Sequence, residues 1–83
     1  MTDIGHGVSI EIREIDGKAH GVAYTHPRPD GTGMCEGWAN FDPFPGAPAW
    51  AVHSLSPLTI TPSLLCRACG HHGFITNGKW VPA

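Results

Sequence analysis

In the stretch "CRACG", Cys66 and Cys69 set two thiols three residues apart, with Gly70 directly after the second. That spacing suits a zinc knuckle, a tight turn that aims two thiolates at one point, and glycine lets the backbone take positive φ as the chain leaves it. The motif weighs heavily in a chain of 83 residues. A domain of that size buries only about 60 to 65% of its unfolded surface, so an apolar core alone leaves it marginal and a staple adds much. Three cysteines are an odd number and cannot all pair as disulfides within the chain. In a reducing compartment such thiols serve more often as ligands or catalysts.

A structural zinc site takes four ligands in a tetrahedron, drawn from Cys and His. His72 lies three residues after Cys69 and repeats the reach of the C-x2-C step, whereas His71 lies only two away and points across the turn. His72 is therefore the expected third ligand. Cys35 is the one remaining thiol and the preferred fourth, with His53, His26 and His20 behind it as alternatives. The expected set is Cys35, Cys66, Cys69 and His72, a Cys3His arrangement around a structural Zn2+. The competing reading for Cys35 is a small buried hydrophobe, and for His71, His53, His26, His20 and His6 ordinary surface or loop histidines.

The rest of the chain reads as strands and turns. Apolar residues make up 41% and charged residues 14%, with 11 Gly and 8 Pro, a composition of short strands and many turns. In "VSIEIREIDGKAHGVAYT", 8–25, apolar Val8, Ile10 and Ile12 alternate with polar neighbours, and Asp16-Gly17 is a favoured two-residue hairpin turn. "HPRPDGTG", 26–33, reads as a loop. A strand resumes at "MCEGWANF", with Cys35 on the face of Gly37, Ala39 and Phe41, and Met34, Glu36 and Trp38 on the other. "DPFPGAP" is a second loop in which Phe44 is expected to plug the core. "AWAVHSL" is a further strand. Thr61-Pro62 reads as a helix start, giving one helical turn over 62–65, and "GFITNGKWV" is a second hairpin on Asn77-Gly78. Trp38, Trp50, Trp80, Phe41, Phe44 and Phe74 are expected as core. The expected fold is all-β, a single small antiparallel sandwich or partly open barrel of six or seven strands with that one helical turn, over residues 1–83.

Several function classes are disfavoured. The net charge is −2 and the five basic residues, Arg13, Lys18, Arg28, Arg67 and Lys79, are scattered, so no footprint for nucleic acid is visible. No apolar run approaches the ~20 residues of a membrane span, and "MTDIGHGVS" lacks the regions of a signal peptide, so a soluble, cytosolic protein is expected. A redox C-x-x-C normally opens a helix within a βαβ setting, whereas "GHHGFI" promises a strand. A zinc deaminase requires H-x-E before P-C-x-x-C, which this chain lacks. No general base stands beside the knuckle in sequence, so no enzyme activity is expected.

The stretch from Trp50 to Ala83, with its pattern PLT-x-x-PSLLC-x-x-CG-x-HG-F and a closing G-x-WVP, covers about two fifths of the chain. It resembles the C-terminal signature of a family of small zinc-binding-type proteins of actinobacterial tailed phages and prophages. "MCEGWANFD" looks like that family's cysteine-containing strand, which matches Cys35. A wider group of phage proteins, more loosely similar, ends in a cysteine, two spacers and a histidine, matching Cys69 and His72. The resemblance implies phage origin and metal binding, and it supplies no activity. A non-enzymatic structural or interaction module of a phage particle or its assembly is expected, acting with a virion or host protein in the host cytoplasm or the virion. The alternative is a small zinc-containing regulator that binds a host protein or nucleic acid during infection.

Overall fold

The computed structural model describes residues 1–43, 45–46 and 48–83. Eight strands follow one another: β1 Thr2–Gly5, β2 Val8–Ile15, β3 Lys18–Pro27, β4 Met34–Asn40, β5 Ala51–Leu55, β6 Leu58–Leu65, β7 His72–Thr76 and β8 Lys79–Pro82. They form two antiparallel four-stranded meanders, β1-β2-β3-β4 and β5-β6-β7-β8. The fold is all-β, and no helix occurs among the described residues.

Local chemistry accounts for the hairpins. Asp16-Gly17 and Asn77-Gly78 take positive φ at both central positions (52° and 78°; 50° and 69°), the condition for a tight turn whose twist matches its strands. Alternation then divides the faces. Val8 and Ile10 on β2, Val22 and Tyr24 on β3 and Ala39 on β4 point inward, and Leu58, Ile60, Leu64, Ile75 and Trp80 answer them from the second meander. These side chains, with Ile4, make one apolar cluster drawn from both sheets. The buried half of β3 lies toward its far end: Lys18 is exposed while Val22 and Tyr24 are buried.

Three expectations change. Eight strands form among the described residues rather than six or seven, because Thr2–Gly5 adds an edge strand against β2. The helical turn at 62–65 does not form, because β6 runs through it as a strand to Leu65. Alternation wins over the Thr-Pro start signal: Ile60 and Leu64 both reach the core, and Pro62 falls in an irregular step where Ile60 pairs with Ile75 and Leu64 with Gly73. A proline there removes no ladder hydrogen bond toward β7. The aromatic residues also divide. Trp80 is buried and Phe41 and Trp50 pack partly against the core, but Trp38 (46% exposed) and Phe74 (37%) stand on outward faces. Trp38 shares the pleat of Met34 and Glu36, which are exposed too. Phe44, expected as a plug, lies outside the described residues.

Buried aromatic rings are seated on glycines. A Cβ on Gly73 would lie 2.4 Å from Trp80 Cζ2 and 2.7 Å from the Val81 carbonyl oxygen, and one on Gly37 would lie 2.3 Å from Tyr24 Cζ. The Trp80 ring is buried and cannot swing aside. Gly73→Ala is therefore expected to destabilise the protein by about 1 to 3 kcal/mol, the range for overpacking, despite the better strand propensity of alanine. Urea unfolding followed by tryptophan fluorescence measures it, and an unchanged midpoint contradicts this packing.

Candidate metal centre

The second hairpin arm and its partner bring two ligand-type side chains face to face. β3 continues through His26 to Pro27, and His26 pairs directly with Cys35 on β4. The turn between them is braced locally: Arg28 N–H donates to the Gly33 carbonyl at 2.8 Å, and the Asp30 carboxylate accepts from Thr32 N–H at 3.0 Å and from its hydroxyl at 2.6 Å. An aspartate that bonds its own backbone two residues on favours such a turn.

The second pair comes from the loop between β6 and β7. Gly70 N–H donates to the Cys66 carbonyl at 2.7 Å and Cys66 N–H to the His71 carbonyl at 2.8 Å, which folds "CRACGH" into a closed knuckle. Gly70, with φ of 81°, makes the reversal. One ligand atom each from His26, Cys35, Cys66 and Cys69 then lie within 4.8 Å of one another.

Two observations fit these four side chains to a metal. Cys35 and Cys69 sulfurs are 3.8 Å apart, far beyond a disulfide bond of about 2.05 Å and equal to the edge of about 3.8 Å that a tetrahedron with Zn–S bonds of ~2.3 Å has. The His26 ring is 1% exposed, and its Nε2 is buried with no hydrogen-bond partner while Nδ1 lies 3.2 Å from the Pro27 carbonyl oxygen. With the proton on Nδ1 bonded to that carbonyl, Nε2 presents a lone pair to the cluster, the tautomer a metal-ligating histidine adopts. A buried polar atom left unpaired costs about 1 to 3 kcal/mol, so something is required there.

The thiols are electrostatically unequal. Burial opposes ionisation of Cys66, but the Cys69 amide, the Cys69 thiol and the Ala68 amide outweigh it and bring the Cys66 pKa down to about 6. At Cys69 the His71 amide favours the thiolate, yet burial and the neighbouring sulfurs of Cys66 and Cys35 prevail and hold the pKa above the ordinary thiol value. Burial, and secondarily the Cys66 charge, raises the Tyr24 phenol. Burial, followed by the charge of His26, lowers the His71 imidazole.

The expected residues are thus partly assembled. Cys35, Cys66 and Cys69 come together; His72 does not join them. It is exposed on β7, its Nε2 2.8 Å from the Ser63 hydroxyl, because a strand that starts at His72 turns this side chain to the outer face. His26 stands in the fourth position. His53 Nε2 lies 2.8 Å from the Thr61 hydroxyl on the outside of the second sheet, and His20 pairs through Nδ1 with Asp42, whose carboxyl is held below its ordinary value by that bond and, further, by Lys18. The missed signal was alternation: Val22, Tyr24 and His26 share one face at period two.

Comparison of the chain with known protein families, with curated proteins and with solved structures finds no match.

In metal-free protein at neutral pH, Cys66 is expected to react first with iodoacetamide, because it combines a low pKa with partial exposure, and buried Cys35 last. Peptide mass spectrometry after brief labelling reads the order, and Cys35 reacting first contradicts it.

Proposed function

We propose that this chain is a non-enzymatic interaction module of phage type, held shut by one structural Zn2+ on His26, Cys35, Cys66 and Cys69. The observation that carries the reading is the orphaned, buried Nε2 of His26 facing three sulfurs. Four side chains complete a tetrahedron and leave no position for a reacting water, which separates a structural from a catalytic zinc. Sulfur-rich donors with one imidazole suit Zn2+ better than hard cations such as Mg2+ or Ca2+. The zinc would contribute on the order of 10 kcal/mol to folding, comparable with the whole stability of a small domain.

The donors divide evenly between the sheets, His26 and Cys35 from the first and Cys66 and Cys69 from the second, so the metal would clasp the two layers of a small β-sandwich. A domain so closed, with Trp38, Leu65 and Phe74 left outside, is suited to being a rigid surface for another protein. The resemblance of the Trp50–Ala83 segment to proteins of actinobacterial tailed phages points to the particle or its assembly as the setting. Proteomics of purified virions from the encoding phage tests that setting, and consistent absence from particles removes it.

For the zinc, elemental analysis is expected to give one Zn2+ per chain, and a chelator to lower the melting temperature sharply. His26→Ala is expected to abolish stoichiometric zinc, while His72→Ala retains it. Loss of zinc in His72→Ala with retention in His26→Ala would reverse the ligand assignment.

A further inference from the structure

His71 holds none of the four ligand atoms, yet it touches two of the four residues that do, the ring of His26 and the backbone of Cys66. Its ring lies nearly parallel to that of His26, with centroids 4.1 Å apart and 13° between the planes. It stacks in turn on Trp80 at 4.9 Å and 27°. Its carbonyl accepts the Cys66 N–H at 2.8 Å.

The imidazole of His26 needs such a neighbour. Rotation of a histidine ring about its last side-chain bond is a broad, roughly two-fold torsion. The contact that restrains it along β3, Nδ1 to the Pro27 carbonyl, is long at 3.2 Å. A flat ring packed 4.1 Å away, itself backed by a Trp80 that is 4% exposed, restricts the plane much more strictly. Outer-shell partners that fix ring orientation typically account for 10 to 100-fold in metal affinity, so an effect of about tenfold or more is the scale at issue.

We propose that His71 is the positioning residue of the metal centre, whose stacked ring fixes the plane of His26 so that Nε2 aims at the three sulfurs. The inference rests on the reading of His26, Cys35, Cys66 and Cys69 as a metal site. It requires the flat face of the His71 ring and neither of its nitrogens, because the hydrogen bond with Cys66 is made by the His71 peptide carbonyl and survives substitution.

The test uses the full chain, with Co2+ as a spectroscopic probe and Zn2+ affinity from competition with a chelating dye. His71→Ala is expected to weaken Zn2+ binding by about tenfold or more and to alter the Co2+ ligand-field bands, as one nitrogen leaves its place. His71→Phe, which keeps a flat ring on His26, is expected to restore both the affinity and the spectrum. If His71→Ala binds Zn2+ as tightly as the native chain with an identical Co2+ spectrum, the inference is overturned and the metal reading stands. If His71→Phe is as damaged as His71→Ala, a ring nitrogen is what matters, which overturns it too. Failure of the native chain to take up either ion overturns both.

Discussion

The cross-strand pair of His26 with Cys35, met by the knuckle of Cys66 and Cys69, is the constraint on which the rest of the structure depends. Each meander has one apolar face and cannot bury it alone. Their shared core is one apolar cluster that joins aliphatic side chains of both meanders to Tyr24 and Trp80. The four polar side chains sit where the β3–β4 turn meets the β6–β7 loop, two given by each sheet. Any agent that binds all four at once converts two meanders into one unit. Separating the sheets would then break bonds to both, and stability would follow the metal rather than the apolar area.

The same cluster is costly without such an agent. A buried histidine nitrogen has no partner, and two of the thiols are driven apart in ionisation, Cys66 toward the thiolate chiefly by the Cys69 amide and Cys69 away from it by burial and the neighbouring sulfurs. Folding to this arrangement places the charge-favouring amides of the knuckle around Cys66 before any ion arrives. A divalent cation would remove the conflict, since three thiolates and a neutral imidazole are what it requires. The arrangement therefore reads as a preorganised donor set, four ligand atoms within 4.8 Å of one another.

Much of the architecture was legible in the residues. Asp16-Gly17 and Asn77-Gly78 announced two hairpins, and alternation put Cys35 with Ala39 on one face of β4 and Met34, Glu36 and Trp38 on the other; which face is buried was not legible, and Trp38, expected in the core, stands outside. C-x2-C was equally plain, whereas Cys35 was the preferred fourth ligand against the competing reading of a small buried hydrophobe. His26 was not legible, because "HPRPDGTG" has the composition of a loop and Pro27 has no N–H for a ladder. The structure removes that objection: β3 pairs with β2 only as far as Thr25, so Pro27 at its end interrupts nothing there. Its carbonyl still serves, as the acceptor for His26 Nδ1. His72 misled by spacing along the chain. Distance in sequence gives reach, but the pleat of β7 decides direction, and it points His72 at Ser63 and solvent. The Thr61-Pro62 signal failed for a related reason, since local helix preference is weak against the pairing of Leu64 with Gly73 and Leu65 with His72 on β7.

The glycines opposite the buried rings connect the fold to the site. Tyr24 lies across from Gly37, one pleat step from the His26–Cys35 pair, and Trp80 lies over Gly73, next to His72 and two residues from His71. Without a side chain at these positions each ring can lie flat on the neighbouring strand, an arrangement that lets an aromatic residue shield a strand glycine. That flat pose carries Trp80 under His71 and leaves Tyr24 beside His26, at 6.1 Å. A larger residue at Gly73 would lift Trp80 and tilt the rings stacked on it, moving the imidazole of His26 by way of His71. Two residues that look like weak points in their strands are therefore what permits a column of four rings to run from the core of one sheet to the ligands of the other.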